Sequence, residues 1–363
     1  MASTLKEISQ AAGTSVSTAS LILNGRQAHR FTAETQKAVL DAADQLGYQP
    51  QRAAQALVTG KTGNIAVLVN SLTNPFFARY VSLLQQLLVN DGYTTVPLEI
   101  SPQATAEKGQ WMDWIDRRAV DAVIDLQGVM RVGAKMASVY MKFGENRPIV
   151  FRQLLDDPHL GTHAGVVVDY ATGFAEMAAH LADIGCKDIG MVTVEGHTPR
   201  PVKPGGPSRG DHQFIGMVRG ALDEAGLSCP PSHFRGVGNE SAEANDWCAI
   251  TLDLLKSKPK IQALVVHNMD AVPAVLHGIK LAGRSVGDDL FLTSFDDTPQ
   301  SRWIGPGITV VREPAKEVAA AMADLVLNEV AGKRRSGHKR TLKTRLVVRG
   351  STDPTWSPYR PNA

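Results

Sequence analysis

Residues 4–24 read Thr-Leu-Lys-Glu-Ile-Ser-Gln-Ala-Ala-Gly-Thr-Ser-Val-Ser-Thr-Ala-Ser-Leu-Ile-Leu-Asn. This stretch predicts two short helices joined by a turn at Gly13. Two helices that cross steeply need apolar residues on their facing sides and a small residue where they touch. Ile8, Ala12, Ala19 and Ile22 supply the apolar face, and Ser9 is the small residue. Gly13 ends the first helix, where a positive φ is cheap only without a Cβ. Ser15 is placed to cap the second helix with its hydroxyl. That leaves Val16, Ser17 and Leu21 on an outer face, near the end that would enter a major groove. An ordinary helical hairpin within a larger core is the competing reading, but the outer face is dense in Ser and Thr.

Working outward, Thr32 is the expected N-cap of a third helix reaching Leu46. Val39, Ala42, Ala43 and Leu46 recur on it at helical spacing, and Gly47 ends it. Beyond Pro50, the segment Arg52 to Val58 is mostly Ala and Gln with one large apolar side chain, Leu57. It buries too little surface to be a stable helix alone. It is therefore either a plain linker or a hinge helix that orders on DNA, with Leu57 wedged between bases in the minor groove.

The chain has 363 residues, enough for a small headpiece and two further domains, with 38 Lys+Arg against 36 Asp+Glu. Residues 1–61 hold six basic and four acidic side chains, so the net charge of +2 resides there. So weak a bias makes hydroxyls, amides and helix N-termini carry many phosphate contacts, and favours two headpieces acting together. Cys186, Cys229 and Cys248 have no metal or redox spacing, which suits a reducing compartment. The N-terminus lacks a signal-like apolar segment, and no stretch approaches a membrane span. A cytoplasmic protein without a cofactor is expected.

From Gly63 onward, short apolar runs alternate with helical patterns: Ile65–Val69, Thr94–Glu99, Ala122–Leu126, Pro148–Phe151, Gly165–Val168, Ile189–Thr193, Ala263–His267, Phe291–Phe295 and Ile308–Val311. Such alternation implies parallel sheets with helices on both faces, and the length implies two of them. The basic run Lys333–Arg349 reads as a solvated loop leading into a last strand, Thr341–Val348, rather than as a second nucleic-acid patch.

Gly13-Thr-Ser-Val-Ser-Thr-Ala-Ser20, Leu46-Gly-Tyr-Gln-Pro50, Thr59-Gly-Lys-Thr-Gly63, Asn74-Pro-Phe-Phe77, Ser294-Phe-Asp-Asp297 and Leu346-Val-Val-Arg-Gly-Ser-Thr352 occur in that order. Through these motifs the chain resembles transcriptional regulators of the LacI/GalR (lactose-repressor) family, from about Thr4 to Thr352. The resemblance implies an α/β fold: an N-terminal helix-turn-helix headpiece and hinge helix, followed by a two-lobed, periplasmic-binding-protein-like (type I) doubly wound core. The expected divisions are a headpiece at 1–49, a hinge at 50–62, an effector-binding and dimerisation body at 63–352, and a tail at 353–363. The chain would cross between lobes near residues 162–165, 291–297 and 317–323. The tail has no heptads, so a homodimer through the lobes is the default.

Functional residues follow from the same resemblance. DNA contacts are expected from Thr4, Ser15, Val16, Ser17, Thr18, Leu21, Asn24, Thr32, Tyr48, Gln51, Arg52 and Leu57. Many relatives carry Arg at the position of Leu21. Effector contacts are expected from Asn70, Asn74, Phe76, Phe77, Arg152, Asp169, Arg209, Asn268 and Asp296. Phe77 serves equally as a core aromatic. Arg152 stands where many relatives have an apolar residue, and Asn268 is followed by Met269 instead of Asp. The Pro- and Gly-rich segment Glu195–Gly210 replaces the region where relatives carry a ligand-gripping Arg, and the grip falls to Arg209. Arg152 and Arg209 together would favour a phosphorylated or carboxylated ligand. A ligand-responsive, operator-binding regulator, most simply a repressor of double-stranded DNA with a sugar-like effector, is the leading expectation. An enzyme on the same scaffold would need a Gly-rich phosphate turn or a nucleophile with its base, and Asn70-Ser-Leu-Thr-Asn74 offers neither. A transport protein would need a signal and would have no use for the headpiece.

Overall fold

The computed structural model describes residues 3–23, 30–48, 56, 60–100, 119–129, 147–154, 160, 163–194, 213–237, 244–333 and 338–359. The chain divides into two compact units, Met1–Gly63 and Asn64–Ala363.

The first unit holds α1 (Leu5–Ala11), α2 (Val16–Leu23) and α3 (Ala33–Gln45). Local chemistry starts each helix. Thr4 and Glu7 form a reciprocal capping box on α1. The Ser15 hydroxyl accepts from the Thr18 N–H at 3.0 Å, and the Thr32 hydroxyl accepts from the Thr35 N–H at 3.2 Å. Gly13 takes φ +63°, which lets the Thr14 N–H bond to the Ser9 carbonyl at 2.9 Å and closes α1. Ile8, Ala19, Ile22, Val39, Ala42 and Ala43 form the core, with Ala12, Leu23, Phe31 and Tyr48 packed around it. Ser9 is buried at the α1–α2 crossing and donates to the Lys6 carbonyl. The helix-turn-helix reading of residues 4–24 thus matches in its facing side, small residue and cap. Of the hinge at 50–62 only Ala56 and residues 60–62 are described, so Leu57 lies outside the described residues.

The second unit contains two six-stranded sheets. The first has the order β11-β5-β4-β3-β1-β2, from β1 (Asn64–Val69), β2 (Thr94–Glu99), β3 (Ala122–Val129), β4 (Ile149–Gln153), β5 (Ala164–Asp169) and β11 (Lys339–Lys343). The second repeats that arrangement as β12-β10-β9-β8-β6-β7. Its strands are β6 (Ile189–Val194), β7 (Phe234–Val237), β8 (Ala263–Val266), β9 (Phe291–Phe295), β10 (Thr309–Arg312) and β12 (Arg345–Val347). All pairs are parallel except β10–β12. Central strands such as β1 and β8 are buried apolar runs because helices cover both faces. Pro97 is tolerated because β2 is an edge strand. The strand β7 is absent from the sequence reading; Arg235 and Gly236 interrupt its apolar pattern, as an edge position permits.

Helices α4 (Pro75–Leu88) and α9 (Ala315–Val330) pack with the first sheet. Helices α5 (Ala171–Asp183), α6 (Gln213–Glu224), α7 (Ala244–Ser257) and α8 (Val272–Leu281) belong with the second. The connections between lobes therefore differ from the expected ones. The chain leaves the first sheet after Asp169, because β5 still pairs with β4 in that sheet and α5 follows at Ala171. It returns after Arg312, because β9 and β10 both pair within the second sheet. It crosses a third time at Thr344. The single expected strand Thr341–Val348 is two strands, β11 in one lobe and β12 in the other. The basic run is correspondingly not a solvated loop throughout. Arg340 pairs with Asp324, and Arg349 is buried against Asp297.

The third crossing constrains α5. A Cβ on Gly173 would overlap Thr344 Oγ1 and Val311 Cγ1. Thr344 donates its N–H and its hydroxyl to the Asp169 carbonyl at 3.0 and 3.1 Å, so it has little room to move. Gly173→Ala is expected to destabilise the second unit by about 1–3 kcal/mol, read as a lower midpoint in denaturant; an unchanged midpoint would show that the contact relaxes freely. Ser15→Ala removes the α2 cap and is expected to cost about 1 kcal/mol, visible as earlier loss of the headpiece helices on heating, with the second unit unaltered.

Candidate functional site

Two regions collect the candidate residues. In the headpiece, capping of α2 by Ser15 leaves Val16 and Ser17 exposed on the first turn, Val16 at 45%. Thr18 and Leu21 are half-buried on the same helix. The outer face is thus small, hydroxyl-bearing and apolar, with no charged side chain on α2. Thr4, Ser15 and Thr32 use their hydroxyl oxygens as caps, so their part in a DNA contact is first to present the helix starts. The Tyr48 ring packs partly on the three-helix core, which fixes where its hydroxyl emerges. Asn24, Gln51, Arg52 and Leu57 lie outside the described residues.

In the second unit the candidates gather at the carboxyl ends of the parallel strands, where doubly wound sheets bind ligands. Asn70 follows β1. Asn74 caps α4, its Oδ1 accepting from the Phe76 N–H at 2.9 Å. Phe77 is buried in the core. Phe76 is half-buried, 5.1 Å from Phe77 and Tyr80 and beneath the Arg152 guanidinium at 5.0 Å. Asn268 Oδ1 accepts from the Ala271 N–H at 3.0 Å, closing the turn that precedes α8. Asp296 is the non-glycine residue with positive φ among the described residues, at +65°, where β9 ends. Asp tolerates this region at a modest cost, and such strain gathers at functional sites. Arg209 lies outside the described residues.

One expectation is corrected. Arg152 is not a free cleft cation. Its side chain is buried, and it pairs with Glu313 through Nε to Oε1 at 2.8 Å and Nη2 to Oε2. Burial alone would weaken its charge, but the carboxylate beside it holds the guanidinium proton well above its ordinary range. A cation already neutralised within a dry site has little attraction left for an anionic ligand. Asp169, in turn, accepts from the Ala171 N–H at 2.9 Å and from the Thr172 hydroxyl at 3.3 Å, using both oxygens to start α5. Each oxygen keeps a further lone-pair site beyond these bonds.

The sequence reading passed over the partners of that pair. Tyr80 and Tyr170 both donate to Glu313, the latter at 2.8 Å. Burial pushes both phenols up, and the adjacent Glu313 charge adds to it; Asp296 contributes further at Tyr170. Burial opposes ionisation of Glu313, yet Arg152 and the two hydroxyls hold its carboxyl below the usual range. Asp297 is likewise held low against its burial, by hydrogen bonding and charge from Arg349 and Arg312. Its carbonyl accepts from Arg79 Nη1 of α4 at 2.8 Å, a direct bond between the lobes. The one sequence signal for Glu313 was a charged residue ending an apolar strand just before Pro314. Burial raises the thiols of Cys186 to about 11 and Cys229 to about 12, which makes both poor nucleophiles near neutral pH.

Comparison with known proteins bears on both regions. Residues 4–51 match the family described as bacterial regulatory proteins, lacI family, and residues 178–352 match the periplasmic binding protein-like domain. The chain is 25% identical to the HTH-type transcriptional regulator DegA of Bacillus subtilis, covering 98% of this chain and 99% of that protein. It is 22% identical to the ribose operon repressor of Halalkalibacterium halodurans, covering 96% and 97%. A solved structure of the lac repressor dimer bound to operator and the anti-inducer ONPF superposes with TM-score 0.79 at 19% identity, covering 97% of this chain and 100% of that one. Residues 4–51 thus carry a lacI-family DNA-binding domain and residues 178–352 a periplasmic binding protein-like domain, in a chain that is similar over nearly its full length to bacterial transcriptional regulators.

Proposed function

We propose that the chain is a ligand-responsive transcriptional repressor that binds a pseudo-palindromic operator as a homodimer and holds a small metabolite between its lobes. The observation that carries this reading is the Ser15-capped α2, whose exposed first turn and uncharged outer face suit a major groove. The relatives named above are transcriptional regulators, and one superposed structure holds operator DNA and an anti-inducer. Among the described residues, no helix is long and apolar enough to cross a membrane. The chain acts by binding rather than by catalysis on this reading.

The effector class follows from the charge inventory at the strand ends. Arg152 is bound to Glu313, and the other described candidates at the strand ends are Asn70, Asn74, Phe76, Asp169, Asn268 and Asp296, none of them a cation. Caps engage only the oxygen of an asparagine, which leaves its NH2 to donate. Carboxylate, amide donors and an aromatic face suit a neutral polyhydroxylated ligand such as a sugar. The ribose named for one relative is of that class.

A mobility-shift experiment with the full chain and the upstream DNA of its own and neighbouring genes, with and without pooled metabolites, tests the core reading. Retarded DNA whose yield changes with metabolites is expected; no shift under any condition would defeat it. For the effector, calorimetric titration should give heats with neutral sugars, and binding of only their phosphates would overturn the charge argument. Asp296→Asn tolerates the same backbone and should weaken that sugar at least about ten-fold without lowering the unfolding midpoint; full affinity would remove Asp296 from the site. Leu21→Arg supplies a side chain able to bond guanine bidentately. Selection from random duplexes should then yield a changed base at one position of each half-site, and an identical consensus would count against α2 as the reading helix.

A further inference from the structure

Tyr170 is the residue at which the chain leaves the first lobe for α5, and Glu313 is the residue at which it leaves the second for α9. These two crossing residues bond to each other, at 2.8 Å, inside the protein. Glu313 Oε1 accepts from Arg152 Nε and the Tyr80 hydroxyl; Oε2 accepts from the Tyr170 hydroxyl and Arg152 Nη2. Four donors fill the lone-pair sites of the carboxylate. Arg152 and Tyr80 belong to β4 and α4, so this cage is anchored in the first lobe. The Tyr170 ring reaches the other way. It lies 5.4 Å from Phe174 and 5.4 Å from Phe214, on helices of the second lobe, and both of those rings contact Phe295 of β9.

We propose that Tyr170 is a strut that sets the angle between the lobes, its hydroxyl fixed on Glu313 in one and its ring wedged among the aromatics of the other. The proposal rests on the ligand-responsive reading above, and takes the response to be a rotation of one lobe against the other. Rotation about the three crossings must move the ring relative to the hydroxyl anchor. Either the O–H···O bond breaks in a dry site or the ring leaves its slot, and neither is cheap. Thr344, the third crossing, is tied to the Asp169 carbonyl beside Tyr170, so all three connections move together. A buried ion pair is weak evidence for added stability, since apolar residues of the same volume often serve as well. Its location where two crossings meet gives it a geometric role: it holds one lobe arrangement in preference to others. Tyr170 and Glu313 are thus positioning residues.

Backbone hydrogen exchange of the full-length protein, with neither DNA nor small molecule, tests this. Tyr170→Phe removes one hydroxyl and keeps the ring. The amides of Thr344 and Val318, which bond to Asp169 and Pro314 at the crossings, should exchange about ten-fold faster. Amides within β1 and β8, inside the lobes, should keep their rates. The double variant Arg152→Met/Glu313→Leu removes the cage while refilling its volume, and should show the same local pattern. Unchanged rates at the crossings in both variants would overturn the proposal. So would equal acceleration at the crossings and in β1 and β8, which marks a structural role only. A protein that fails to bind DNA leaves this outcome readable, and unaltered exchange leaves the DNA-binding reading standing.

Discussion

The carboxylate of Glu313 is the point on which the second unit depends. A negative charge taken out of water is costly unless it is paired and fully hydrogen-bonded. Here the pairing charge comes from Arg152, at the end of β4, and the remaining lone pairs are filled by Tyr80 and Tyr170. Those demands fix the end of β4, the face of α4 and the start of α5 relative to the strand that ends at Arg312. Removing only one charge would strand the other, which typically costs about 3–5 kcal/mol. The aromatic cluster of Phe174, Phe214 and Phe295 then forms on the far side of the Tyr170 ring. One saturated anion thus joins the hydrogen bonding of one lobe to the packing of the other.

This arrangement suits a protein that must have two lobe arrangements and must resist a continuum between them. A ligand shifts such an equilibrium only by its difference in affinity for the two arrangements. A stiff joint turns a small contact at Asp296 or Phe76 into a choice between discrete states, whereas a soft one would absorb it locally. The headpiece contributes the other half of the linkage. Its near-neutral recognition helix and modest positive charge leave a single copy weak, so dimer geometry has a large effect on occupancy.

What could be read from the sequence was what is local. Helix caps at Ser15 and Thr32, the turn at Gly13, and the buried strands of both sheets depend on neighbours within a few residues or on periodicity. The role of Arg152 depends on a partner 161 residues further along the chain, and no local pattern announces it. Asp169, Asn74 and Asn268 sit at strand ends, where a ligand contact and a local turn or helix cap call for the same side chains, and their oxygens accept such local bonds here. The crossings were misplaced for a related reason. Composition is similar on either side of them, and only pairing shows that β11 and β12, separated by Thr344 alone, lie in different sheets. The hinge residues and Arg209 lie outside the described residues, so those expectations stand as they were.

The central claim is that DNA and a small molecule act on one equilibrium of this chain. Its most direct test is a paired measurement: operator affinity with and without the small molecule, and small-molecule affinity with and without operator, at one salt concentration. Linkage requires the two ratios to be equal. The account predicts equal ratios that differ from one, in the range of about 5–150-fold typical of coupled sites. Ratios of one for a ligand and an operator that both bind would contradict it.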